Sequence, residues 1–252
     1  MCKVISIVNQ KGGCSKTTSA VNIGIGLANA GKKVVLIDAD AQGSLTASLG
    51  FQKPDELKVT LATIMAKTIN EEEIDLSKVI LHHEEGVDLV PGNIELSGLE
   101  VQLSNVLSRE LILKEFIDSL RDFYDYILID CAPSLGMMTI NALVAADEVI
   151  IPVQAAYLPV KGLQQLMKTI NMVKRRLNKK LQIDGILLAM VDYRTTFARN
   201  ISAELFAAYG ESVGIFENYI PSSIKAVEAS SAGISIYTNM IQKEKSLRHM
   251  QR

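Results

Sequence analysis

A β-branched apolar run, Val4-Ile-Ser-Ile-Val8, passes directly into Asn9-Gln-Lys-Gly-Gly-Cys-Ser-Lys-Thr-Thr18, which opens an amphipathic helical pattern. A strand, a glycine-containing loop and Lys-Thr at a helix start make a cradle for phosphate. Backbone N–H groups and the helix N-terminus face the anion, the lysine supplies a point charge, and the threonine hydroxyl reaches a divalent cation. One position departs from that pattern: it takes glycine just before the second lysine, and this chain has Ser15. Glycine is the default where backbone closely approaches a ligand. A Cβ there either strains the loop, by about 1–3 kcal/mol if φ is positive, or is tolerated and adds a hydroxyl to the phosphate contacts; the residues leave both open.

Short β-rich runs alternate with helical patterns along the rest of the chain. Lys3–Val8, Lys33–Ile37, Val87–Val90, Tyr126–Ile129, Glu148–Pro152, Ile183–Met190 and Ile215–Ile220 read as strands. Several, such as Val34-Val-Leu-Ile37, are apolar on consecutive residues, which is the pattern of parallel strands buried on both faces. Ala20, Ile23, Gly24, Leu27 and Ala28 recur at helical spacing and stop at Gly31, a C′ residue. Leu163, Leu166, Met167, Ile170 and Val173 make a second stripe after Pro159, an early-helix residue. With 252 residues, 48% of them hydrophobic, the expected architecture is one α/β domain over residues 1–252. It is a single doubly wound, mostly parallel sheet with helices on both faces.

Other features exclude function classes. No apolar run approaches the roughly 18–20 residues that span a bilayer, and the N-terminus enters a strand too soon for a signal peptide. Cys2, Cys14 and Cys131 lack metal-ligand or disulfide spacing, so a soluble cytoplasmic protein is expected. A formal net charge of −2 means that any nucleic-acid contact needs a local patch. The absence of Trp argues against base stacking on single strands. His82 and His83 are adjacent, so on an extended segment they point to opposite faces; a solvated surface loop is the expectation there.

Two acidic motifs end buried strands: Ile37-Asp38-Ala-Asp40-Ala-Gln42-Gly-Ser44 and Leu128-Ile-Asp130-Cys-Ala-Pro133-Ser-Leu-Gly136. Open α/β sheets place ligands at the carboxyl ends of strands. A phosphate-bound Mg²⁺ takes one or two protein oxygens plus waters, which Thr17 and one strand-end aspartate supply. A second carboxylate can orient a water in line with a γ-phosphate. A lone strand-end aspartate reads as well as a cap or turn former; three beside this loop read as an Mg²⁺-dependent hydrolase site.

Lys11-Gly-Gly-Cys-Ser-Lys16-Thr-Thr resembles the deviant Walker A motif, Lys-Gly-Gly-x-Gly-Lys-Thr/Ser, of the ParA/MinD family. The ParA/Soj partitioning branch is closer still. Asp38-Ala-Asp40-Ala-Gln42-Gly-Ser44, Asp130-Cys-Ala-Pro-Ser-Leu-Gly136, Met190-Val-Asp192-Tyr-Arg194-Thr195 and Ile220-Pro221 running to Gly233 are similar to its motifs and span nearly the whole chain. The resemblance implies a P-loop NTPase fold and an ATPase of weak intrinsic turnover with ATP and Mg²⁺ as cofactors. It implies a homodimer formed on ATP, nonspecific DNA binding, release on hydrolysis stimulated by a ParB-like centromere-binding partner, and a nucleoid-associated location.

By residue, the resemblance implies that Lys16 holds the β- and γ-phosphates and that Lys11 crosses a nucleotide-sandwich dimer. Asp40 orients the attacking water and Asp38 helps position the site, so these four are the candidate catalytic residues. Gly12, Gly13, Cys14, Ser15, Thr17 and Thr18 complete the cradle with Lys11 and Lys16, and Pro221 packs on the adenine. Thr17 binds the metal directly and Asp130 through water. Arg194 and Lys225 fall where the family contacts DNA; Lys174-Arg-Arg176 and Lys179-Lys180 are either a further DNA contact or solvated surface. Departures are Ser15, Ala41 for Pro, Ser222-Ser223 for Arg-Asn, and a tail, 237–252, expected to be short or truncated. Two alternatives stay open: a nucleotide switch with hydrolysis impaired by Ser15, and a MinD-like membrane-associated ATPase. Met240–Arg252 carries few large apolar residues for a membrane helix, and cysteines to ligate an iron–sulfur cluster are lacking.

Overall fold

A computed structural model describes residues 2–154 and 160–241, with 160 and 161 described by their backbone alone. The expectations for Pro159 and for most of the 237–252 tail lie outside these residues. The strands are β1 (Lys3–Ile7), β2 (Val34–Ala39), β3 (Leu81–His82), β4 (Asp88–Val90), β5 (Tyr126–Cys131), β6 (Glu148–Gln154) and β7 (Gln182–Ala189). The helices are α1 (Lys16–Asn29), α2 (Ser44–Ser48), α3 (Leu61–Ile69), α4 (Leu76–Val79), α5 (Glu95–Leu103), α6 (Ile112–Leu120), α7 (Met137–Ala145), α8 (Val160–Arg176), α9 (Thr196–Tyr209) and α10 (Ile224–Ala232). One sheet runs in the order β3-β4-β2-β5-β1-β6-β7, parallel except for β3 against β4. This is the doubly wound sheet that the apolar runs imply.

Consecutive apolar residues go to opposite faces. Val35, Ile37, Ile127 and Ile129 enter the larger core under α3, α5, α6, α7 and α8, while Val34, Leu36 and Leu128 enter the smaller one under α1 and α2. Strand period 2 puts Asp38 and Asp130 on the α1 side too. Parallel register sets Asp38 beside Asp130, and Asp130 beside Ile7, in one row at the strand ends. The loop that follows β1 therefore opens directly over both carboxylates.

The structure changes two readings. Ile215–Ile220 is not a continuous strand: it meets the edge strand β7 at Ile186↔Ile215, bends at 217–218, and a further bridge forms at Val191↔Pro221. An apolar run beside an edge cannot by itself hold register through such a bend. His82 lies in the two-residue strand β3, not in a loop, and its Nδ1 is 2.5 Å from Asp88 Oδ1. His83 faces the Gly233 carbonyl instead. Gly31, with φ 80°, ends α1 where the sequence places its C′ residue.

Candidate functional site

Two left-handed residues shape the loop between β1 and α1. Gly13 has φ 69°, and Ser15, the residue capping α1, has φ 69° and ψ 23°. Glycine adopts this region without steric cost; a serine Cβ there crowds the following carbonyl. Ser15 thus takes the conformation its glycine counterpart is chosen for, and its side chain makes no capping hydrogen bond. Above Gly12 and Gly13 the space is open, since a Cβ built on either meets nothing within 4 Å.

Lys16 is only 7% exposed, and its Nζ donates to the Lys11 carbonyl at 3.2 Å. The Cys14 thiol donates to the same oxygen at 3.2 Å, and burial pushes that thiol pKa up. Both interactions tie the loop across its own mouth. The Lys11 side chain is exposed, and its backbone N–H is held by Asn9 Oδ1 at 3.0 Å.

Behind the loop lies the carboxylate row. Thr17 Oγ1 donates to Asp130 Oδ2 at 2.6 Å, while Asp130 Oδ1 is buried with no partner among the described residues. Burial, then the charge of Asp38, pushes the Asp130 pKa up to about 8, against the Thr17 hydrogen bond and Lys16. Asp38 is also fully buried, and burial pushes it up to about 6. Its oxygens are occupied: Oδ2 accepts from Thr46 N at 2.8 Å and Thr46 Oγ1 at 2.6 Å, and Oδ1 from Asp40 N at 3.3 Å. Asp38 is therefore a positioning group that joins α2 to the backbone of Asp40. Gly92 packs on it, where a Cβ would lie 2.3 Å from the Asp38 carbonyl.

A cleft of about 550 Å³ lies over the loop, lined by Gly12, Gly13, Cys14, Ser15, Lys16, Thr17, Thr18, Asp40, Gln42, Ser44, Ala47, Ser48, Pro133 and Ser230. Asp40 is half-buried at its wall, with Oδ1 held by Gln42 N at 3.0 Å. Ser48 and Ser230 are 2.8 Å apart, so α10 closes one side. Lys11 does not line this cleft; its carbonyl turns inward to Lys16 and its side chain borders a neighbouring cleft of about 490 Å³ with Asn9, Pro133 and Gln154. Pro221 is exposed beside the end of β7, outside the cleft lining. Arg194 and Lys225 are exposed, and neither lines the cleft over the loop. Arg194 forks onto Asp192 at 2.8 Å through both Nε and Nη2. Thr46, Gly92 and Ser230 escape sequence reasoning because nothing local marks a threonine, glycine or serine as bracing a distant aspartate or closing a cleft.

Small divalent cations bind through few protein oxygens plus phosphate and water. The Thr17 hydroxyl, the unpartnered Asp130 oxygen and the open left-handed turn suit such an ion beside a phosphate chain. A family profile described as AAA domain matches residues 2–183. The sporulation initiation inhibitor protein Soj of Bacillus subtilis (strain 168) is 41% identical over 233 residues, 92% of this chain and 89% of that protein. The chromosome-partitioning ATPase Soj of Treponema pallidum (strain Nichols) is 40% identical over 236 residues, 94% of this chain and 89% of that protein. Cobyrinic acid a,c-diamide synthase from Mycobacterium smegmatis, solved with bound ATP analog and magnesium, superposes with a TM-score of 0.83 at 33% identity, covering 100% of this chain and 96% of that one.

Proposed function

This chain belongs to the ParA/MinD-type family of P-loop ATPases, and on that premise we propose that it is a partitioning ATPase. It binds ATP and Mg²⁺ over the Gly12–Thr18 loop and pairs with a second copy. It holds DNA nonspecifically in that state and releases it on hydrolysis, with weak intrinsic turnover. The observation that carries the reading is the convergence of Lys16, Thr17 and Asp40 on one cleft, backed by the Thr17–Asp130 hydrogen bond.

Bound Mg²⁺ supplies neutralisation of charge developing on the phosphates. Thr17 and, through water, Asp130 are the groups that hold it. Lys16 exchanges the Lys11 carbonyl for phosphate oxygens, and Asp40, fixed through Gln42 N and Asp38, orients the attacking water. The exposed Lys11 side chain, outside its own cleft, supports a role toward a second copy's phosphates.

For DNA, Lys174, Arg175, Arg176, Lys179 and Lys180 are exposed at the end of α8 and form no ion pair among the described residues. Arg194 must exchange Asp192 for a phosphate, and Lys225 is a further exposed cation. Pairing two copies doubles each patch and makes binding salt-sensitive. The activator is a ParB-like centromere-binding protein. No helix among the described residues is long and apolar enough to cross a membrane.

Retention of the chain on DNA with ATP but not ADP, lost in Lys16→Ala, tests the reading; DNA binding indifferent to nucleotide counts against it. The left-handed Ser15 favours a second reading, a nucleotide switch with slow hydrolysis. Phosphate release with DNA and the cognate activator separates the two.

A further inference from the structure

The loop from Asp130 to Gly136 carries the buried carboxylate at one end and starts α7 at the other. Between them Pro133 lines the phosphate cleft, and Pro133, Ser134 and Leu135 line the neighbouring cleft that contains Lys11. Any motion of this loop moves the wall shared by both clefts. Thr17 holds its first end through Asp130.

The second end is held from another helix. The first N–H groups of a helix have no intrahelical acceptor, and the residue capping α7, Gly136, has no side chain to supply one. Glu100 of α5 does so: its Oε1 accepts from Met138 N at 3.3 Å. A carboxylate at this position also complements the helix macrodipole. Gly136 makes the approach possible. Its φ of −75° is open to any residue, but a Cβ there would lie 2.2 Å from Glu100 Oε1 and 3.2 Å from its Cδ. Space, not backbone conformation, requires the glycine.

Beyond this contact α7 is fixed in the core. Asn141 Oδ1 accepts from Leu113 N at 3.1 Å, and Asn141 Nδ2 donates to the Arg109 carbonyl at 2.8 Å and the Met137 carbonyl at 3.0 Å. Thr139 Oγ1 donates to the Ser134 carbonyl at 2.9 Å. The loop is thus tied at Asp130 by Thr17, at Ser134 by Thr139, and at the start of α7 by Glu100.

Taking the cleft as the ATPase site proposed above, we infer that Glu100 is a positioning residue that clamps the Asp130–Gly136 loop for hydrolysis, with Gly136 as its steric counterpart. The clamp acts on the loop's placement during the chemical step and leaves nucleotide affinity to Lys16 and Thr17. Hydrogen exchange of the full chain without nucleotide tests it, alongside ATP affinity and single-turnover hydrolysis, in Glu100→Ala, Glu100→Gln and Gly136→Ala. Glu100→Ala and Gly136→Ala should speed exchange of the Gly136–Thr139 amides about tenfold while α7 beyond Asn141 keeps its protection. They should lower kcat about fivefold with ATP affinity within about twofold. Glu100→Gln keeps an acceptor oxygen and should stay within about threefold of the parent on both readouts. Unchanged exchange in Glu100→Ala and Gly136→Ala overturns the clamp, as does faster exchange with unchanged kcat. If Glu100→Ala fails to fold, the other two variants decide. If the parent chain turns over no ATP, the ATPase reading fails and the clamp's role in hydrolysis falls with it, whereas a parent that turns over ATP with unchanged exchange in the variants overturns the clamp alone.

Discussion

Thr17 Oγ1 donates a 2.6 Å hydrogen bond to Asp130 Oδ2, joining the first turn of α1 to a carboxylate at the end of β5 that solvent does not reach. The threonine proposed to offer a hydroxyl to a cation is the same one that holds the Asp130 carboxylate. The hydroxyl donates its proton to Asp130 and keeps its lone pairs for a cation, so this bond and a metal at Thr17 are compatible.

Thr17→Val keeps the shape and removes the hydroxyl. Its expected effect is a loss of about tenfold or more in the Mg²⁺ dependence of nucleotide binding, read by titrating Mg²⁺ against a fluorescent ATP analogue. A buried Asp130 left without its donor should also cost about 1–3 kcal/mol of stability in the nucleotide-free chain. A titration identical to the parent's would remove Thr17 from the metal site.

The raised pKa values set a pH dependence. Asp38 and Asp130 rise from 3.8 to about 6 and about 8, mainly through burial. The folded chain keeps protons that the unfolded chain releases, so this contribution is present below about pH 4 and is lost as pH rises through about 6 and then 8. Melting of the nucleotide-free protein should fall between about pH 4 and 8, and Asp130→Asn should flatten the upper half of that slope. A melting temperature that climbs over the same range contradicts it.

Ser15→Gly should stabilise the chain, because the left-handed position at φ 69° loses its Cβ penalty of about 1 kcal/mol. For a chain of this size that is a rise of about 2–4 °C in Tm. Turnover should increase severalfold if the serine slows hydrolysis. Turnover equal to the parent's would remove the slow-switch reading, and a lower Tm would show that the Ser15 hydroxyl does more than fill space.

Gly92→Ala tests the support beneath Asp40. Its Cβ would lie 2.3 Å from the Asp38 carbonyl and 3.0 Å from the Asp38 Cγ, and a backbone oxygen in a central strand cannot swing aside. Overpacking of this kind costs about 1–3 kcal/mol. The shift should reach Asp40 through Asp38, lowering hydrolysis while ATP still binds the loop; chemical denaturation and phosphate release measure the two effects. Parent-like stability would show that the strand yields.

Much of this was legible before the fold. The Lys11–Thr18 loop is contiguous, so its turn, charge and hydroxyl are read together, and runs such as Val34–Ile37 announce burial on both faces. Asp38, Asp40 and Asp130 stand at strand ends where a ligand is expected. Relations between distant residues carry no such signal. Nothing near Glu100 marks it as the cap of a helix that starts after Gly136, and the Ile215–Ile220 run shows its composition but not the bend that breaks its pairing. The motif puts Lys11 in the cradle, and the fold turns its carbonyl to Lys16 Nζ while the residue lines the neighbouring cleft. Ser15 was visible as a departure, while its left-handed conformation needed the structure.

The cleft over this loop is proposed to hydrolyse ATP with Mg²⁺. Phosphate release by the purified full chain, with and without Mg²⁺ and DNA, tests it most directly when compared with Lys16→Ala and Asp40→Ala. The expected result is Mg²⁺-dependent release that falls about 100-fold or more in both variants, with ATP binding lost in Lys16→Ala and kept in Asp40→Ala. Release that ignores Mg²⁺, or that survives Lys16→Ala at the parent's rate, contradicts the assignment of this loop as the catalytic site.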